Sequence, residues 1–107
     1  MTVAASSLLL NPHSYDPSHF DAETQRILRA TIDWLEARGL TKLTADYHAH
    51  AWYPEFLDFI AREKVFATFM TPARDAAGDD AKRWDTARVA AMSEVLGFYG
   101  LAYWYPW

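Results

Sequence analysis

The sequence predicts an all-α fold, a small bundle of about four helices, and three observations carry that expectation. Two segments, Asp21–Arg38 and Thr86–Tyr99, repeat apolar residues at helical spacing, and each has an aspartate placed to cap its first turn. Alternating runs of β-branched residues, the mark of half-buried strands, are scarce. Finally, 51% of the residues are apolar and 16% aromatic, which excludes a disordered chain and requires a large buried surface, above all for the five tryptophans. At 107 residues the chain makes one domain at most. A chain of this size buries roughly two-thirds of its unfolded surface and can form a core without staples.

Taken in order, Met1–His19 reads as a leader arm and residues 20–107 as the helical domain. In the arm, Ser6-Ser7, Asn11-Pro12 and Asp16-Pro17 are turn formers, and each proline pushes its predecessor out of the α region. Leu8–Leu10 is its apolar part. In the first helix, Ile27, Leu28, Thr31, Ile32, Trp34 and Leu35 draw one face, with Glu23, Arg26, Arg29, Asp33 and Glu36 opposite. Trp34 reads as a core anchor, and Gly39 closes the helix at C′. Leu40–Trp52 reads as a connector with room for one helical turn. A second helix starts at Tyr53-Pro54 with proline at N1 and Glu55 in the positive first turn, and runs to about Lys64 through Phe56, Phe59 and Ile60. Val65–Met70 is ambiguous between coil, strand and helix tail. Ala73–Lys82 reads as a surface loop. The third helix follows, with Val89, Met92, Val95, Leu96 and Tyr99 as its stripe. Gly100 separates it from the start of a fourth at Leu101–Trp107.

Composition removes several function classes. The net charge of −4 offers no basic patch for nucleic acid. Without cysteine there is no disulfide framework and no thiolate metal site. Met1–Leu10 lacks the positive region and the apolar length of a signal peptide, and no stretch approaches the ~20 apolar residues of a membrane span. The expectation is a soluble, cytoplasmic protein.

Few residues suggest chemistry. Asp46-Tyr47-His48-Ala49-His50 contains an H-x-H pair, which on a strand would place His48 and His50 on one face as half of a metal site. Such a site needs three or more protein ligands, and His13 and His19 lie far off in the leader, so the expectation is no metal. Asp79-Asp80 reads as a solvated loop pair. Glu94, on the third helix, reads as an exposed position rather than an acid/base. There is no phosphate-cradling glycine loop and no nucleophile motif. The aromatic cluster Phe98–Trp107 reads as core, with an apolar ligand wall as the alternative. Tyr103, Trp104, Tyr105 and Trp107 are unusual aromatics for a free end, so the chain is expected to be a piece of something larger or to have this segment covered by a partner.

Ala90-Ala91-Met92-Ser93-Glu94-Val95-Leu96-Gly97-Phe98-Tyr99-Gly100 resembles the SEELAYG helix in the N-terminal domain of acyl-CoA dehydrogenases. The order of elements is similar too: a long first helix, a second opening Tyr53-Pro54-Glu55-Phe56, a loop, the SEELAYG-like helix and a restart. The resemblance runs from about Phe20 to Trp107. It implies an N-terminal helical domain that is incomplete without a β-domain and a C-terminal helical domain. The enzyme it implies uses FAD to remove the α and β hydrogens of an acyl-CoA, passes electrons to an electron-transfer flavoprotein and is a homo-oligomer. The glutamate base and nearly all flavin contacts would lie outside this chain, which alone is expected to be inactive. Matched by position, Leu101, Tyr105 and Pro106 would wall the acyl pocket, and their bulk implies a short or unusual acyl group. Pro106 departs from the pattern because it disturbs a helix interior.

The alternative is a stand-alone helical interaction module, without enzymatic activity, that buries Trp104–Trp107 against a partner protein. Both readings predict self-association through exposed apolar surface.

Overall fold

The computed structural model describes residues 11–49, 54–78 and 84–100. Among them are five α-helices and no strand: α1 Ala22–Arg38, α2 Leu40–Ala49, α3 Pro54–Arg62, α4 Val65–Phe69 and α5 Thr86–Tyr99, with a 3₁₀ turn at Ala73–Asp75 between the last two. The all-α expectation holds.

Helix α1 is the longest, and its ends are fixed as the sequence indicates. The Asp21 carboxylate accepts from the Thr24 amide at 3.0 Å and from the Thr24 hydroxyl at 2.6 Å. At the other end Gly39 takes φ 81, a left-handed value that costs a residue with a Cβ, and donates its N–H to the Leu35 carbonyl. Between these ends Thr24, Ile27, Leu28, Thr31 and Leu35 are buried. Trp34 is half-buried and packs its ring 5.4 Å from Phe56 and 5.5 Å from Phe59 of α3.

Helix α5 lies against the same stripe. Asp85 caps it by accepting from the amides of Ala87 and Arg88, and it ends at Gly100, both as the sequence reading places them. Ala91, Met92, Val95 and Leu96 are buried, while Val89 and Tyr99 are partly buried against the core. The two helices also share polar contacts. The Thr31 hydroxyl donates to the Ile27 carbonyl at 2.8 Å and lies 3.6 Å from the Met92 sulfur. Arg88, only 3% exposed, sits 3.9 Å from the Asp21 cap and 5.6 Å over the Phe69 ring of α4. One buried cation thus ties the first turn of α5 to α1 and α4.

The segments between differ from the sequence reading. The stretch read as a connector is helical from Leu40 to Ala49. It buries little apolar surface, only Leu43, together with the carboxylate residue Asp46. Asp46 takes the Arg38 guanidinium at 2.7 Å and the Lys42 ammonium at 3.2 Å, and Arg38 also pairs with Glu55 at the start of α3. An ion-pair network between three helices therefore supports a helix whose own apolar pattern is weak. Helix α3 stops at Arg62, two residues short of the expected end, because Lys64 turns left-handed at φ 57. The ambiguous run resolves into α4, which buries Val65, Thr68 and Phe69.

The arm is folded onto this core from Asn11 onward. Asn11 accepts from the His13 amide and Asp16 from the Ser18 amide, so each Asx-Pro pair forms the expected turn. Pro12 and Pro17 are buried, and Tyr15 and Phe20 pack against the core. Leu8–Leu10 and the restart at Leu101–Trp107 lie outside the described residues.

Two expectations follow for stability. Met92 is fully buried between α5 and α1, so Met92→Ala should lower the unfolding free energy in urea by about 2–5 kcal/mol. Arg26 bridges Glu23 at 2.8 Å and, across to the end of α3, Glu63 at 2.6 Å. Hydrogen bonds from Arg26 are the main reason that both carboxyls lie below their usual range. Depressed carboxyls contribute stability that is present above their unfolded values and is lost as pH falls through the folded ones. Acidification below about pH 4 should therefore destabilise the wild type more steeply than Arg26→Gln, measured as urea midpoints across pH.

Candidate functional site

The direct junction of α1 and α2 helps to form a partly enclosed surface pocket. Because Gly39 alone separates the two helices, Leu40 and Leu43 are brought beside Leu35 and Glu36. The last turn of α5 adds Phe98 and Tyr99, and the arm adds His13. Together they line a pocket of about 220 Å³. Its inner wall is buried (Leu35 and Leu43), whereas its rim is not: Leu40 is 78% exposed and Phe98 55%.

Its polar groups are few. His13 Nε2 lies 3.0 Å from Glu36 Oε1 at the rim. The Tyr99 hydroxyl is buried without a hydrogen-bond partner among the described residues, although the Glu36 carboxylate is near enough to act on the phenol. Burial first, then the charge and closeness of the Glu36 carboxylate, then the charge of Asp33, push Tyr99 up to about 12. The phenol is therefore uncharged throughout the physiological range.

A second, more open groove of about 390 Å³ runs between α1 and α3 over Trp34, Arg38, Glu55, Asp58 and Arg62. Its cations already have work. Arg38 lies 5.3 Å over the Trp34 ring and holds Asp46 and Glu55, and Arg62 lies 5.6 Å over Phe59. This groove is the outer face of the clamp that joins α1, α2 and α3.

The residues singled out in the sequence fall as follows. Leu101, Tyr105 and Pro106 lie outside the described residues, as do His50 and the Asp79-Asp80 pair. Phe98 and Tyr99, the first members of the aromatic cluster, do line the apolar pocket. His48 is exposed on α2 and therefore not on a strand. Among the described residues no group of three His, Cys, Asp or Glu side chains could hold a metal. Glu94 is exposed, near enough to Tyr15 for its charge to reinforce the effect of burial in raising that phenol. Sequence reasoning missed the pocket itself. Leu40 and Leu43, one helical turn apart directly after the Gly39 stop, were the available signal; nothing local marks His13.

No family model, no curated protein and no solved structure matches the chain.

The buried Tyr99 hydroxyl gives a further expectation. Tyr99→Phe should leave stability at pH 7 unchanged or raise it by up to about 1 kcal/mol, because an unpaired buried hydroxyl is removed. A raised phenol contributes stability that is complete below its unfolded value near 10 and is lost as pH rises toward the folded value of about 12. The drop in urea midpoint between pH 9 and pH 12 should thus be smaller in Tyr99→Phe than in wild type.

Proposed function

We propose that the chain is the N-terminal helical domain of an FAD-dependent acyl-CoA dehydrogenase, an oxidoreductase acting on the α,β CH–CH bond of an acyl-CoA thioester. The observation that carries the reading is the behaviour of the stretch Ala90–Gly100, which resembles the SEELAYG helix. It forms the C-terminal part of one capped helix, α5, seated along the long first helix and stopped at Gly100. The element order supports it as well: α3 opens with Pro54 and Glu55 and precedes α5. Helices α2 and α4 are additional to the elements from which the resemblance was drawn.

In this reading the domain supplies wall and subunit contacts rather than chemistry. Leu101, Tyr105 and Pro106 would follow directly on α5 and face the acyl group, and their bulk would select a short or unusual one. When bound, FAD supplies the hydride acceptor. The base, the flavin contacts and the docking of the electron-transfer flavoprotein belong to other parts of such an enzyme, and no residue of this chain is given a catalytic role. The whole enzyme would be a homo-oligomer acting in the cytoplasm.

The test is the visible spectrum of the protein made from the longest open frame that contains this chain. Flavin bands that bleach on addition of acyl-CoA are the expected result. A colourless protein that takes up no added FAD would overturn the reading and leave the helical interaction module in its place.

A further inference from the structure

We propose that the pocket between α1, α2 and α5 binds small hydrophobic amines, with the ring among Leu35, Leu40, Leu43 and Phe98 and the ammonium on Glu36. This inference is independent of the acyl-CoA dehydrogenase reading.

The size and the charge of the pocket select this class. At about 220 Å³ it is smaller than the roughly 300 Å³ of a drug-sized site and suits a molecule with a single ring. Three leucines and the Phe98 and Tyr99 rings make the walls apolar. Among the described residues that line it there is no lysine or arginine. The one carboxylate among those residues is Glu36, half-exposed at the rim. An anionic ligand is repelled there, a neutral one gains only the apolar contacts, and an ammonium gains the carboxylate with aromatic side chains close by. His13 is the competing donor: it meets Glu36 at 3.0 Å and is itself largely exposed, so it can be displaced without uncovering buried surface. The other charged group acting on this corner, Asp33, has the same sign as Glu36.

The test compares 2-phenylethylamine with 2-phenylethanol, which has the same ring and reach without the charge. Binding is followed by two-dimensional NMR at pH 7 and low salt. The amine should bind about fivefold more tightly than the alcohol, the combined scale of one partly exposed ion pair and a cation–π contact. Both should shift the amides of Leu40, Leu43 and Phe98. Glu36→Gln, at a half-exposed helix position, should erase the preference for the amine. His13→Ala should strengthen it, because the competing donor is gone. Equal affinity for the two probes, a preference that survives Glu36→Gln, shifts confined to another face, or no binding of either probe would each overturn the proposal.

Discussion

The apolar stripe of α1 is the surface on which the rest of the described chain is assembled. Ile27, Leu28 and Leu35 are wholly excluded from solvent, and the core they enter draws residues from every other helix: Leu43 of α2, Phe56, Phe59 and Ile60 of α3, Val65 and Phe69 of α4, and Met92, Val95 and Leu96 of α5. Short helices such as α3 and α4 have little intrinsic stability in water, and their helicity depends on burial of one face against a partner. The length of α1, capped at Asp21 and stopped at Gly39, therefore determines how many partners it can hold.

A second constraint is electrostatic, and it operates where the apolar pattern fails. Helix α2 has one buried apolar residue, too few to seat it by hydrophobic burial alone. Asp46 is 4% exposed, so a carboxylate there must be compensated, and Arg38 and Lys42 provide this. Arg38 simultaneously lies on Trp34 and reaches Glu55. Removing Arg38 would strip the buried Asp46 carboxylate of its shorter ion pair, a larger penalty than the net contribution of that pair. The clamp thus fixes where α2 and α3 sit rather than adding greatly to stability. Arg88 does the equivalent at the other end of α1, beside the Asp21 cap.

How far the sequence reveals this structure depends on how local the cause is. The extents of α1 and α5 were legible because caps and stops are short-range: Asp21 and Asp85 bond amides two or three residues ahead, and Gly39 and Gly100 accept backbone angles that other residues resist. The arm's turns were legible for the same reason, each an Asx-Pro pair bonding its own neighbour. Helix α2 was not, because its support comes from Arg38, eight residues before Asp46 and on another helix. The early stop of α3 was not either, since nothing about Lys64 as a residue announces a left-handed φ. The pocket was illegible for a stronger reason: it draws on the arm, α1, α2 and α5, and His13 and Phe98 are distant in sequence.

That difference bears on where function is to be sought in this chain. Function often lies where rigid elements end and several of them converge. Here that place is the corner where α1 stops, α2 begins and α5 ends. Gly39 makes the corner by joining two helices without a loop, and the junction leaves Leu40 uncovered while Leu43 turns inward. Phe98 is exposed across from it, one residue before the buried Tyr99 hydroxyl. An exposed leucine or phenylalanine is unremarkable alone. Two that flank one pocket, beside a carboxylate that an exposed histidine meets, form a surface that combines apolar contact with negative charge. In the Trp34 groove, by contrast, the cations are engaged with Asp46, Glu55 and the Phe59 ring, whereas the carboxylate at the end of α5 is met by an exposed histidine.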